Sequence, residues 1–559
     1  MTERSETEVL IVGLGAAGGV AADVLTSAGI PVTALEAGPR LRPEQFELDE
    51  LHSDVHAWMS QPKALGERPS WRTSDSEEAG AAPWPTLMVN AVGGSTVHYP
   101  GLSARFQPWN FKSAGATRDR YGDGAIAAGA TLADWPLDYD ELEPYYDRAE
   151  RAIGVSGSGG HFDAPRSRGY PMPPLRRSGW TELTASAARS LGWHPFPAPA
   201  AINSVPYNGN PECTYCGFCT GNGCYRGAKG SAELTVIPRA EASGLLRVET
   251  GARVTSIEVD RDGLAGGARY VKDGVERFVA ARTVLLCAFV YENVRLLLLS
   301  GLANNGGQVG RHYMAHVTPF AFGLFPDHRL NLFTGPWSQA TCVEDFNADN
   351  FDHAGLGFVG GATLTAAHEL KPVAAASAPL PASVPRWGAG WKAWLRENAQ
   401  SIGSVGAQCE SLSYDDSLLD LDPVRTDPFG LPVVRVTHRI HDNEARSASF
   451  MLGRLHEWLR AAGASETWQA HEPMVEARHC YGGTRMGDDP TGSVVDRFGF
   501  AHEVPNLGVL GASTFPTTGG INPTLTVQAL AWRTAEELAA RLGGRRAAKP
   551  EASMIGKPI

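Results

Sequence analysis

No stretch of the chain approaches the ~18 consecutive apolar residues that a helical membrane span requires, so no such span is expected. Long basic runs are missing as well. With a net charge of −12, this argues against nucleic acid and anionic membranes as main partners. Cysteine is sparse: of eight in 559 residues, Cys287, Cys342, Cys409 and Cys480 are scattered, which does not make a disulfide framework. The N-terminus has no basic start followed by an apolar run, and an apolar strand begins by Val9. An export signal is therefore not expected, and a cytoplasmic protein is. No internal repeat is found, and a haem-binding tail is not expected. What remains is 43% hydrophobic and 20% charged, the composition of a folded protein. Its length favours two or more folding units with room for a large buried cofactor and a small, neutral or mildly charged ligand.

The first chemical signal is N-terminal. The apolar run Glu8-Val9-Leu10-Ile11-Val12 ends in Gly13-Leu14-Gly15-Ala16-Ala17-Gly18, and a helix-like segment follows through Leu25. Gly13 permits a tight turn, Gly15 lets backbone approach a pyrophosphate, and Gly18 allows close helix packing. The diphosphate would thus meet the positive end of a helix. A second strand, Pro31 to Leu35, delivers Glu36, whose carboxylate can take ribose hydroxyls and disfavours a 2′-phosphate. FAD and NAD both fit this pattern.

Further motifs choose between them. Val92-Gly93-Gly94-Ser95-Thr96-Val97-His98-Tyr99 is followed far downstream by His479-Cys480-Tyr481-Gly482-Gly483-Thr484 and by Gly511-Ala512-Ser513-Thr514-Phe515-Pro516. Gly519-Gly520-Ile521-Asn522-Pro523-Thr524 closes the series. Together with Val309 to His316 and Asp427-Pro428-Phe429-Gly430-Leu431-Pro432, these segments resemble the glucose-methanol-choline (GMC) oxidoreductases along the whole chain. Within that family, Asp134-Trp135-Pro136-Leu137 and Leu142 to Tyr146 are most similar to gluconate 2-dehydrogenase large subunits and sugar and glycoside dehydrogenases, with pyranose oxidase-like members nearby.

The resemblance implies an α/β fold: a Rossmann-like FAD domain and an α+β substrate domain built on an antiparallel sheet. The expected FAD domain is discontinuous, 1–125, 203–316 and 476–545, with 126–202 and 317–475 forming the substrate domain and 546–559 a flexible tail. FAD would rest on Gly13, Gly15, Gly18, Glu36, Gly93, Gly94, Ser95, His98, Val254, Ala512, Asn522 and Thr524. His479 matches the family's catalytic histidine and Asn522 its partner. The chemistry agrees, because hydride leaves a C–H bond more readily once a base begins to remove the adjacent hydroxyl proton, and an amide can steady the alkoxide without changing charge. His98 stands where some members bond histidine covalently to the flavin, and the other reading is a ring packed beside it.

Cys213, Cys216, Cys219 and Cys224 fall within twelve residues, a run similar to iron–sulfur ligands but with four residues in the last gap. Zinc, local disulfides and purely structural cysteines are the alternatives. The expected reaction is oxidation of a hydroxyl on a sugar, sugar acid or glycoside, with electrons leaving to oxygen or a redox protein. Tailoring of a sugar-containing natural product, such as an aminoglycoside or a C-glycoside, is the alternative. Lyase chemistry or a degenerate electron-transfer subunit on the same fold are the non-oxidising rivals. Residues 371–387, rich in Pro, Ala and Ser, read as a mobile loop, and Trp387, Trp391 and Trp394 recur at helical spacing.

Overall fold

The computed structural model describes residues 4–83, 88–470 and 473–543, so the 546–559 tail lies outside the described residues. Two large sheets dominate, one mostly parallel and one antiparallel, with a small four-stranded sheet beside them. The fold is mixed α/β.

The parallel layer runs Leu246–Thr250, Val32–Glu36, Arg4–Val12, Val275–Leu286 in space, with Leu507–Val509 against the far edge of the last. Val9, Leu10, Ile11 and Val12 are buried throughout, as a parallel strand covered on both faces demands. Helix Ala16–Ser27 leaves the first strand and packs beneath helix Thr524–Arg541, where Val20, Ala21 and Val24 meet Ala531, Ala535 and Leu538. Strand Val275–Leu286 serves two neighbours along one edge: its start pairs antiparallel with Ala265–Lys272 and its end pairs parallel with Leu507–Val509.

The antiparallel sheet runs Glu466–Gln469, Phe320–Leu324, Ile402–Cys409, Ala362–Ala366, Thr341–Val343, Phe196–Pro197. Helix Asp442–Ala461 covers one face, burying Met451, Leu455 and Trp458 against Val405, Ala407 and Cys409. The alternate residues Ser404, Gly406 and Gln408 line a cavity instead, as the two-residue period of a strand requires. Strand Met314–Thr318 joins this sheet at Val317 opposite Cys409 and pairs on its other side with Met474–Tyr481.

Two local expectations change. Residues 371–387 are not a plain loop: Pro372–Ser377 is a short helix whose first N–H groups, from Val373 and Ala374, donate to the Glu50 carboxylate at 2.9 and 2.8 Å. The tryptophans do open and line a helix, Gly388–Asn398, but none of its residues is buried and Trp387, before it, is 83% exposed.

Candidate active site

One cavity of about 480 Å³ reaches from the first glycine turn to the antiparallel sheet. At its nucleotide end, Gly13 has φ of 89°, and a Cβ there would lie 2.8 Å from the carbonyl oxygen of Cys287, so only glycine holds this turn against the neighbouring strand end. A Cβ on Gly18 would collide with the Gly13 carbonyl. The second glycine segment arrives just as closely: a Cβ on Gly94 would stand 2.9 Å from Gly15 Cα. Glu36 accepts N–H bonds from Leu14 and Gly38, both 2.9 Å, while burial raises its carboxyl to about 7 against those bonds. Each carboxylate oxygen retains a lone pair for a ribose hydroxyl.

Beside Glu36 lies a buried charge cluster. Arg253 and Lys63 both reach Glu67 at 2.5 Å, and Arg295 bonds Asp427 at 2.7 Å and Glu292 at 3.1 Å. Burial works to raise Glu292, yet Lys63, Arg253 and Arg295 together hold it well below the ordinary carboxylate range. Lys63, Arg253 and Glu292 line the cavity with Val254. Asn293 ties the far wall together, donating to Leu510 O at 3.0 Å and Ser513 Oγ at 3.1 Å while accepting from Ala288 N–H at 2.8 Å. That staple fixes the loop carrying Ala512.

Of the expected cofactor residues, Gly13, Gly15, Glu36, Gly94, Ser95, His98, Val254, Ala512, Asn522 and Thr524 line the cavity. Gly18 and Gly93 do not line it. Gly18 packs behind the turn, and Gly93, at φ of 94°, presses against Glu233. Two backbone segments that approach too closely for side chains, above a helix N-terminus and a ribose-competent carboxylate, fit a dinucleotide of the FAD type.

His98 is buried, and its Nε2 has no hydrogen-bond partner among the described residues. Burial, reinforced by Lys229 and Arg478, lowers its ring to about 3, so the imidazole is neutral. Its segment is clamped to the cysteine loop: Lys229 Nζ donates to Val97 O, Cys219 O and Asn222 O at 2.9, 2.8 and 2.8 Å, and Gly221 N–H donates to His98 O at 3.0 Å. The cysteines themselves are free thiols. Burial raises Cys213 to about 12 and pushes Cys219 well above the ordinary range. Among the described residues, no three His, Cys, Asp or Glu side chains gather as metal ligands. The expectation of an iron–sulfur site on Cys213, Cys216, Cys219 and Cys224 is therefore not supported, because ligand geometry requires convergent donors and spacing alone does not supply them.

Distant segments bring His479 and Asn522 together. Asn522 precedes helix Thr524–Arg541, and its Nδ2 lies 3.0 Å from His479 Nε2. His479 sits on strand Met474–Tyr481 at an irregularity: Ala315 pairs with Cys480, but Val317 pairs with Val475, leaving extra residues on the His479 strand. Such a bulge re-aims a side chain. Opposite it, His316 Nδ1 lies 3.2 Å from His479 Nδ1. The same cavity is lined by Phe320, Trp337, Thr318, Thr365, Ser404 and Gln408.

Residues 130–318 and 414–531 match the N-terminal and C-terminal family models of GMC oxidoreductase. The chain belongs to the GMC oxidoreductase family. It is 33% identical to the gluconate 2-dehydrogenase flavoprotein of Pantoea cypripedii, covering 96% of this chain and 94% of that one. Paromamine 6′-oxidase of Streptomyces fradiae is 30% identical, over 97% of this chain and 93% of its own. The 2-methyl-1,2-propanediol dehydrogenase of Mycolicibacterium austroafricanum is also 30% identical, over 97% and 96%. Among solved structures, formate oxidase of Aspergillus oryzae RIB40 superposes with a TM-score of 0.62 at 16% identity, covering 97% and 99% of the two chains. This GMC chain is an FAD-dependent oxidoreductase acting on CH–OH donors. No described helix is long and apolar enough to cross a membrane.

Sequence reasoning named the motif around His316 without giving that residue a role, and it passed over Lys63, Arg253, Glu292 and Asn293. Arg253 with Glu67 and Asn293 with Leu510 and Ser513 act through contacts far away in sequence, and the i,i+4 spacing of Lys63 and Glu67 is that of any pair on a helix surface.

Proposed function

We propose that this GMC oxidoreductase oxidises a hydroxyl group of a sugar, sugar acid or glycoside to a carbonyl, with His479 as base. The observation that carries this reading is the 3.0 Å contact of His479 and Asn522 in a cavity also lined by aromatic and hydroxyl or amide side chains. Aromatic faces suit the C–H faces of a pyranose, and Thr318 Oγ1 and Gln408 Oε1 are buried without hydrogen-bond partners among the described residues. Substrate hydroxyls would satisfy them.

His479 Nε2 removes the hydroxyl proton, and the Asn522 amide N–H turns to the oxygen as its charge develops. Bound FAD would supply the acceptor for the hydride leaving the same carbon, and oxygen or a redox protein would later take up those two electrons. The neutral His98 imidazole, whose Nε2 has no hydrogen-bond partner among the described residues, is a nucleophile that would suit a covalent bond with the flavin, and forming that bond would leave two electrons on the flavin for the same acceptor. Similarity to paromamine 6′-oxidase supports a second reading, oxidation of an aminoglycoside-type natural product.

Anaerobic mixing of the holoenzyme with a panel of sugars, sugar acids, glycosides and aminosugars tests both. Bleaching of the flavin absorbance by one class is expected, and a panel that leaves it oxidised throughout would sink the proposal. Acid precipitation reads His98: a yellow pellet is expected, turning colourless in His98→Ala.

A further inference from the structure

His479 is held at both ring nitrogens, and the second contact decides which nitrogen is basic. A main-chain carbonyl only accepts hydrogen bonds, so the 2.7 Å between His316 Nε2 and Gly519 O places a proton on Nε2, and full burial favours the uncharged ring that carries this proton alone. The Tyr481 hydroxyl, 3.0 Å from the same nitrogen, accepts a share of that N–H. His316 Nδ1 then bears a lone pair, 3.2 Å from His479 Nδ1. Two lone pairs at that distance repel, so His479 Nδ1 carries a proton and donates it. A neutral His479 consequently keeps its lone pair on Nε2, the nitrogen beside the Asn522 amide.

We infer that His316 is a positioning residue for the proton transfer, selecting the His479 tautomer whose Nε2 is basic and steadying the imidazolium that forms. This rests on the reading of His479 as the base. The bulge at Ala315–Val317 brings the two rings edge to face, perpendicular with centroids 5.2 Å apart. His316 is fully buried, so water does not compete for its Nδ1. The loop that presents Asn522 also supplies Gly519 O, so one segment orients both ends of the histidine pair. During the step the substrate O–H bond breaks and an N–H bond forms at His479 Nε2. His316 gains no net proton. It accepts a stronger hydrogen bond from a now cationic partner.

Two near-isosteric substitutions separate the atoms of His316. In His316→Asn the amide oxygen replaces Nδ1, and in His316→Gln the amide nitrogen replaces Nε2. Both holoenzymes are mixed anaerobically with the panel alcohol that reduces the wild type, and flavin reduction is followed across pH. We expect His316→Asn to stay within about fivefold of wild type. His316→Gln should lose roughly 100-fold or more, the scale of a wrong-tautomer histidine, with KM nearly unchanged and the acid limb of the profile moved to lower pH. Equal loss in both variants, or retention by Gln and loss by Asn, overturns the inference and leaves His316 as a support for the Gly519 loop. Tyr481 and Arg478 are unaltered in both variants and cannot produce the difference. His479→Gln decides the underlying reading separately. If it still reduces flavin, His479 is not the base and the inference falls with it. If it is inactive while His316→Gln is not, the inference alone fails.

Discussion

Lys229 shows how much one buried residue does here. An ammonium at 1% exposure survives because three carbonyls take its three protons, which is the full donor capacity of lysine. Those carbonyls belong to the His98 segment and the cysteine loop, so the side chain sets the distance between them. Lys229→Met keeps the stem and removes the donors, leaving three buried carbonyls without their bonds at a cost of roughly 3 kcal/mol. The expected result is a lower melting temperature and, because His98 lines the cavity, weaker flavin retention on gel filtration. A variant with full flavin content and unchanged melting would show that the clamp is dispensable. The Asn522–His479 contact makes a complementary prediction: Asn522→Ala should slow flavin reduction by roughly 100-fold while leaving flavin content near wild type, since it removes an interaction that strengthens as the alkoxide forms and leaves the glycine turns and Glu36 to hold the cofactor.

At the level of elements, the glycine turn and the strand that carries His479 differ in how openly the sequence declares them. The strand–turn–helix from Arg4 to Ser27 is written locally, in an apolar run, a glycine pattern and a following helix. Gly18→Ala should therefore break it by local collision with the Gly13 carbonyl, giving a folded but flavin-poor protein by its visible-to-280 nm absorbance ratio. Gly453→Ala is the contrasting change: a Cβ there meets nothing within 4 Å, and in the middle of helix Asp442–Ala461 it should stabilise by about 0.5–1 kcal/mol with flavin content unaltered. Strand Met474–Tyr481 could not be read this way. Its bulge arises because Met314–Thr318 pairs with it out of step, a register set between segments more than 150 residues apart. The alternation of Ser404, Gly406 and Gln408 toward the cavity was equally silent until helix Asp442–Ala461 was seen to cover the opposite face. The aromatic repeat at Trp387, Trp391 and Trp394 marks a helix, but its period does not say whether that face is buried, and here it is not.

Across the whole molecule, burial sets the titration of several groups remote from the cavity, and their opposing signs shape stability against pH. Burial raises Glu344 and Glu410 to about 8, with Asp163 adding to Glu344 and Asp349 to Glu410. The unfolded value is near 4.5, so the folded chain keeps these protons where the unfolded chain has lost them. Their contribution is complete below pH 4.5 and is lost as pH rises through 8. Burial lowers His438 and His312 to about 3 and His353 to about 4, against 6.5 when unfolded. For these the unfolded chain binds the extra proton, so stability climbs from pH 3 to 6.5 and is level above it. Between 4.5 and 6.5 the two slopes oppose each other, and above 6.5 only the carboxyls still act. The melting temperature of the holoenzyme should thus be highest on the acid side of neutrality and fall by several degrees between pH 6 and 8.5, at about 1.4 kcal/mol per group and pH unit as an upper bound. Glu344→Gln and Glu410→Gln keep the shape and the neutral state of each side chain, so combining them should flatten that alkaline decline. A wild-type melting temperature that stays level to pH 8.5, or a decline that the paired glutamines leave intact, would place the pH sensitivity elsewhere in the chain.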